Sequence, residues 1–195
     1  MCRIRENHPS SEVRFRQSVS SPSDDRSWVQ AASAGSSAAF SHLVGTHQAG
    51  LIAFLRRLCI DLAEAEDIAQ ETFLLAWRSL SRFDPDRSFR AWLFGIGWRK
   101  CRESRRGLLR RLHRQAVAVQ NTPSIVTPDP SARLDLSEAI NLLPSEERAA
   151  VLLCLMAGFS HEEASQIMNV SPRKLKSLIF GARQKLIQMV GNDDA

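Results

Sequence analysis

No apolar run in this 195-residue sequence approaches the roughly 18 residues that a membrane-spanning helix needs. The segment from Met1 to Asp25 is rich in Arg and Ser and lacks the apolar stretch of a secretory leader. A cytoplasmic protein without stable membrane insertion is therefore expected. Cysteine is sparse: Cys2, Cys59, Cys101 and Cys154 stand far apart, with no CxxC pair and no Cys/His cluster. That removes the sequence signatures of a zinc site and of a disulfide framework. Cys59 and Cys154 sit among apolar neighbours and read as buried free thiols. The histidines, at 8, 42, 47, 113 and 161, are equally dispersed. There is no nucleophile elbow, phosphate loop or catalytic carboxylate pair, so no enzyme, metal or cofactor is indicated.

What the chain has is positive charge and helical period. Its formal net charge is +5, which suits a polyanionic partner, and its 44% hydrophobic content supports one domain or two small ones. Residues 1–24 carry few apolar side chains and read as a disordered extension. From 25 to 107 the apolar residues recur at helical spacing: Leu51, Phe54/Leu55, Leu58 and Leu62, then Ala69, Phe73, Trp77 and Leu80, then Phe89, Trp92/Leu93 and Ile96. Asp84-Pro85-Asp86 reads as a turn between the last two stripes. Residues 108–131 read as a flexible linker. Gly107–Gln120 briefly extends the third helix, and Pro123, Pro128 and Pro130 then exclude regular helix.

Helical pattern resumes over 132–192. Leu136, Ile140 and Leu143 give a short helix closed by Pro144, and Ser145 is placed to cap the next, which stops at Gly158. Ser160 and Glu163 form a capping-box pattern, Asn169 suits a left-handed turn, and Ser171 with Pro172 opens a final helix. Leu175, Leu178/Ile179, Ala182 and Leu186 line the buried side of that helix. No strand-like alternation occurs. The predicted fold is all-α, two small helical domains joined by a flexible linker.

Three constellations bear on function. The helix pair over about 161–168 and 172–190 has helix-turn-helix proportions, with Arg173, Lys174, Lys176 and Ser177 on the early exposed turns of its second member. An ordinary hairpin with a solvated basic face would share the spacing. Trp98–Arg114 carries eight Lys or Arg against one Glu, with Arg99, Arg102 and Arg106 on one face, a stripe able to neutralise phosphates. Trp92 is in phase with the core stripe. Trp98 is out of phase, so it is expected at the surface, free to stack on an unpaired base. Lastly, Asp61, Glu64, Glu66, Asp67 and Glu71 occur with no intervening Lys or Arg. Asp67, Gln70 and Glu71 share a face, opposite Phe73 and Trp77 and without nearby basic partners, and this face suits a basic protein surface.

These pieces, in this order, resemble the ECF (extracytoplasmic function) group of the sigma-70 family of RNA polymerase sigma factors. Ala65–Trp77, AEDIAQETFLLAW, is similar to the polymerase-binding helix of the sigma-two domain. The resemblance implies Asp67, Gln70, Glu71 and Leu74 as contacts to the beta-prime clamp. Phe83–Ile96, FDPDRSFRAWLFGI, is similar to the loop and helix that melt and read the minus-ten element. With the basic tract it implies Arg87, Ser88, Arg90, Trp98, Arg99, Arg102 and Arg106 as contacts there. LPSEER at 143–148, GFSHEEA at 158–164 and the segment Val170–Ser177 are similar to the sigma-four domain, which reads the minus-thirty-five element. Ser171, Arg173, Lys174, Lys176, Ser177 and Arg183 are the implied contacts. The family's other partners, the beta flap of polymerase and an anti-sigma factor, follow as expectations.

The chain also departs from the family pattern. Gly97-Trp98-Arg99 stands where Ala-Arg-Asn is usual, Glu103 where Asp is, and Leu178 and Gly181 where basic residues are common. Loss of those last two charges is expected to remove phosphate contacts. Two other readings share parts of the pattern. A sigma-like decoy that sequesters an anti-sigma factor usually carries a receiver domain, for which 195 residues leave no room. A freestanding helix-turn-helix repressor would not need the acidic stripe.

Overall fold

The computed structural model describes residues 22–118 and 135–190. The proline-rich core of the expected linker, Asn121–Ser131, lies outside the described residues. Helix α1 (Pro22–Ser33) is followed by α2 (Ser37–Arg56), α3 (Leu62–Ser79), a 3-10 turn at Leu80–Arg82 and the long α4 (Phe89–Ala118). Next come α5 (Leu136–Leu142), α6 (Ser145–Val151) with its π-helical continuation Leu152–Met156, α7 (His161–Met168) and α8 (Pro172–Val190). Among the described residues every regular element is a helix, as the periodicity predicted. Most of the expected extension 1–24 lies outside the described residues, and α1 opens on Pro22, at the one helical position where its missing N–H costs nothing.

The first four helices form a bundle. Leu43, Leu51 and Leu55 of α2 are fully buried against Ala65, Ala69 and Ala76 of α3. The inward face of α3 is thus mostly alanine, with Ile68 and Thr72, and small side chains let the helix axes approach closely. Thr72 satisfies its buried hydroxyl by donating to the Ile68 carbonyl at 2.7 Å. The expected inward stripe of Phe73 and Trp77 is rotated to the flank. Phe73 is half-buried, and Trp77 lies at the edge with its ring 4.8 Å from that of Phe40. A ring as large as indole does not fit where two backbones meet. Helix α1 is pinned by a buried pair, His47 Nε2 to Asp25 Oδ2 at 2.9 Å.

Helix α4 is the element on which both halves rest. From Ala91 to Trp98 it is buried at six of eight positions, and Cys101 continues the pattern. A helix apolar on all sides belongs in the interior. One side packs on the first half: Phe94 lies 5.4 Å from Phe54, and a Cβ at Gly97 would stand 3.0 Å from Leu51 Cδ1 and 3.5 Å from Thr72 Oγ1. The other side packs on the second half. Phe94 meets Phe159 edge-on at 5.0 Å, and Gly95 approaches the backbone of Ile167 on α7. The two cores expected from sequence are therefore continuous here. Beyond Gly107 the helix runs on to Ala118, inside the Gly107–Gln120 extension expected for it.

The second half is built from short helices fastened by backbone capture. Arg148 donates to the carbonyls of Leu143 and Asn141, and so holds the turn between α5 and α6. Ser145 does not cap α6. It is the first helical residue, preceded by Pro144, and no side chain caps that end. Leu136, expected inward on α5, is exposed. The π turn closes with Ala157 N–H donating to the Leu152 carbonyl at 2.9 Å, and Gly158 takes φ +69° to end the helix.

Glycine burial gives a direct stability test. Gly97→Leu is expected to overpack the α2–α3–α4 contact and cost about 1–3 kcal/mol. Gly107→Ala, on the same helix with nothing within 4 Å of its Cβ position, is expected to stabilise by about 0.5–1 kcal/mol. Urea unfolding of the two variants beside the parent measures both.

Candidate protein and nucleic-acid interfaces

Helix α3 begins with reciprocal capping. Asp61 Oδ1 accepts from Glu64 N–H at 2.8 Å, and the Glu64 carboxylate accepts from Ile60 N–H at 2.9 Å. Ser104 also donates to Glu64. Two of the five acids in the stripe therefore serve the helix start. Glu66, Asp67, Gln70 and Glu71 are exposed, and Leu74 extends the same face with 56% of its surface open. Asp67, Gln70, Glu71 and Leu74 are spaced i, i+3, i+4, i+7, so the fold brings them together as one stripe. The expectation that no basic residue stands near is corrected. Lys100 of α4 reaches Glu71 Oε2 at 3.2 Å and Glu103 at 3.7 Å. Only tertiary packing brings Lys100 to Glu71, 29 positions away, so sequence order could not reveal the pair. An exposed pair of this kind contributes at most about 1 kcal/mol, so a stronger cationic partner can displace Lys100.

The second set divides three ways. Arg87, Arg99 and Arg106 are exposed, with Arg87 only loosely paired to Asp84 at 3.8 Å. Ser88 starts α4, its hydroxyl accepting from Ala91 N–H at 3.2 Å. Arg90, Trp98 and Arg102 lie at the junction with the second half. Arg90 donates to the Ala157 carbonyl at 2.5 Å, and its guanidinium sits 4.1 Å over the Phe159 ring. Burial lowers its pKa from the ordinary arginine value, with Glu163 and Asp25 acting in the opposite sense. Arg102 reaches Glu146 of α6 at 3.7 Å and leans over the Trp98 ring.

Trp98 corrects an expectation. It is 2% exposed, not a surface ring. Its phase does differ from the Phe89–Ile96 stripe, but it matches Phe94, Gly95 and Cys101, which form a second buried face. The out-of-phase position marked that second packing surface rather than solvent. Trp92, read as core, is half-buried in an aromatic cluster with Phe83 at 4.8 Å and Phe89 at 5.8 Å.

The third set lies on α8, and its backbone is fixed by local chemistry. Ser160 and Glu163 cap α7 reciprocally, at 3.2 Å and 2.9 Å. Asn169 takes φ +53° and ends α7. Ser171 then accepts from Lys174 N–H at 3.2 Å to start α8. Ser171, Arg173, Lys174, Lys176, Ser177 and Arg183 are all exposed. Phe180 was missed. It is 65% exposed and continues the face of Arg173, Lys176 and Ser177 at helical spacing. A wheel drawn opposite the buried Leu175, Leu178 and Ala182 would have found it.

Leu178 is 7% exposed and belongs to the core, so its comparison with a basic position does not bear on the surface. A Cβ at Gly181 would meet the Glu147 carboxylate at 3.3 Å, and that carboxylate holds Lys185 at 2.7 and 2.8 Å. Lys185 is thus internally paired. Among the described residues no group of His, Cys, Asp and Glu could hold a metal ion, and no helix is long and apolar enough to cross a membrane.

An all-helical chain whose second half ends in a capped helix-turn-helix unit with a basic second helix has the build of a DNA-binding protein. The profile of Sigma-70 region 2 matches residues 43–115, and that of Sigma-70, region 4 matches residues 133–186. RNA polymerase sigma factor NccH of Alcaligenes xylosoxydans xylosoxydans is 32% identical over 88% of this chain and 97% of its own length. The solved structure of CnrH in complex with the cytosolic domain of CnrY is similar with TM-score 0.62 and 30% identity, covering 83% of this chain and 94% of CnrH. CnrH is a sigma factor of Cupriavidus metallidurans. Sigma factor RpoE in complex with anti-sigma factor NepR, from Bartonella quintana, gives TM-score 0.61 and 26% identity over 79% of this chain and 98% of that one. The chain belongs to the sigma-70 family of RNA polymerase sigma factors, in its ECF group.

The turn that aims α8 can be tested alone. Asn169→Val forces a β-branched residue into the left-handed region and is expected to cost about 1–2 kcal/mol, whereas Asn169→Gly should stay within about 0.5 kcal/mol of the parent. Thermal unfolding of both variants reads the difference.

Proposed function

We propose that this chain binds core RNA polymerase through the acidic face of α3 and carries promoter specificity in α4 and α8. Its domains are taken as 25–107 for core binding and the minus-ten element, and 132–192 for the minus-thirty-five element, with 108–131 between them. The observation that carries the reading is the separation of charge. Asp67, Gln70, Glu71 and Leu74 offer an open acidic stripe on one half, while Arg173, Lys174 and Lys176 offer an open cationic helix start on the other. The acidic stripe has no use on DNA and fits a basic protein surface. A helix N-terminus bearing Arg and Lys fits base edges and phosphates in a major groove.

The partners follow from the same reading. The beta-prime clamp is assigned to the α3 stripe and the beta flap to the second half. An anti-sigma factor is assigned as regulator, supported by the complex reported for the Bartonella quintana relative. Work in the cytoplasm without catalysis of its own completes the proposal. The closed packing also bears on DNA. Arg90, Trp98 and Arg102 are engaged at the junction, so reading the minus-ten element with them requires the second half to leave α4. Docking on polymerase is assigned that role, since it can hold the halves apart at fixed spacing.

Charge reversal by Asp67→Lys with Glu71→Lys is expected to weaken binding to core polymerase at least about 30-fold, at about 1–3 kcal/mol per contact, with helical content unchanged. Unaltered affinity of that folded double variant, measured by co-sedimentation or fluorescence anisotropy, would sink the assignment. Arg173→Ala and Lys176→Ala are each expected to cut run-off transcription from minus-thirty-five-dependent promoters about 5- to 150-fold, at about 1–3 kcal/mol per lost contact, while leaving polymerase affinity in place. Tight, specific binding of the free protein to a symmetric duplex site would favour a repressor instead.

A further inference from the structure

Two cysteines 42 positions apart in the chain meet at the junction of the halves. Cys59 lies in the bend after α2, Cys101 lies on α4, and their sulfurs are 4.0 Å apart. Cys101 is 5% exposed, while Cys59 is half-buried and so opens the pair to small molecules. Neither thiol serves any surface described above. We propose that Cys59 and Cys101 form a reversible oxidation site that closes to an intramolecular disulfide on reaction with a hydroperoxide.

Geometry favours closure. A disulfide bond is about 2.05 Å long, so the sulfurs must approach by roughly 2 Å. Helix α4 is held on both sides and cannot supply that movement. Cys59 stands in the bend between Arg56 and Leu62, outside both helices, where backbone torsions can absorb it. The chemical setting is also suited. Cys59 and Cys101 share a hydrogen bond in which either sulfur can donate, and this contact, helped by the Arg105 and Arg148 guanidinium groups and opposed by burial and Glu64, lowers the Cys101 pKa from its ordinary value. The same contact and burial raise that of Cys59. Burial alone raises Cys154, which has no comparable partner among the described residues.

The reaction balances as two steps. The Cys101 thiolate attacks one peroxide oxygen, the O–O bond breaks, and the leaving oxygen departs with a solvent proton as water or an alcohol. Cys101 is then a sulfenic acid. The Cys59 sulfur attacks the Cys101 sulfur, the S–O bond breaks, and the hydroxyl leaves as water with the Cys59 proton. The two sulfurs give up two electrons and the peroxide takes them. A dithiol reductant returns the pair by exchange.

The bend that would move is tied to both functional halves. Two residues before Cys59, the Arg57 carbonyl accepts from Arg148 Nη1 at 3.1 Å, and the Arg57 guanidinium donates to Ser137 of α5 at 3.3 Å. Two residues after it, Asp61 caps α3. Oxidation therefore acts on the segment that fastens the second half and starts the acidic helix.

The test treats the reduced full chain with limiting hydrogen peroxide, alkylates free thiols, and digests without reductant for mass spectrometry. A linked Cys59–Cys101 peptide is expected, with the intact mass lower by two hydrogens and restored by dithiothreitol. The pair should be consumed at least about tenfold faster than the Cys154 thiol, because thiolate fraction sets the rate. Cys59→Ser should abolish the link and leave a Cys101 sulfenic acid that dimedone traps. The proposal is overturned if Cys59 and Cys101 remain alkylatable while Cys154 oxidises, or if the links formed run to Cys2, Cys154 or a second chain. The wild-type digest decides even where a serine variant fails to fold.

Discussion

Burial of α4 on opposite sides is the constraint on which the remaining structure depends. Phe54, Leu51 and Thr72 meet it from the first half, and Phe159 and Ile167 from the second. Two glycines allow this. Gly97 admits Leu51, and Gly95 admits the α7 backbone. Larger side chains at either place would hold the neighbouring helices off. The result is an apolar core that runs through both halves, with a small separate cluster of Leu143, Val151 and Ala182 in the second.

Polar contacts around the shared helix fix the relative placement. Arg90 to the Ala157 carbonyl, Arg102 to Glu146, and Arg148 to the Arg57 carbonyl all cross between the halves. Each uses a cation that could otherwise serve nucleic acid or solvent. Ala157 offers its carbonyl at the end of the π turn, just before Gly158 reverses the chain. That turn also leaves Leu155 and Met156 exposed. Among the described residues the two halves are thereby held together, with part of the basic set engaged internally. The open cations of α8 and the open acids of α3 stay available on the outside.

Most local chemistry was legible in the sequence, the absent cap at Ser145 excepted, and tertiary chemistry was not. Ser160 with Glu163, Asn169, and Ser171 with Pro172 declared the helix-turn-helix unit, because caps and left-handed turns depend on residues within four positions. The apolar stripe of α8 was legible for the same reason. Trp98 shows where such reading stops. Periodicity showed that Trp98 left the first stripe, but not that a second partner waits there. A family position that is commonly basic is core here, since Leu178 packs inward. Lys100 beside Glu71, and Cys59 beside Cys101, join residues tens of positions apart, and no spacing rule within one helix could find them.

The central claim is that both halves share α4 in the free chain and part when polymerase is bound. Its most direct measurement is the distance between two genetically encoded labels at Glu66 on α3 and Gln184 on α8, both exposed sites. In the free protein a single narrow distribution is expected, shifting to a longer distance on addition of core polymerase. A broad distribution in the free protein, or a distance unchanged by saturating polymerase, would contradict the claim.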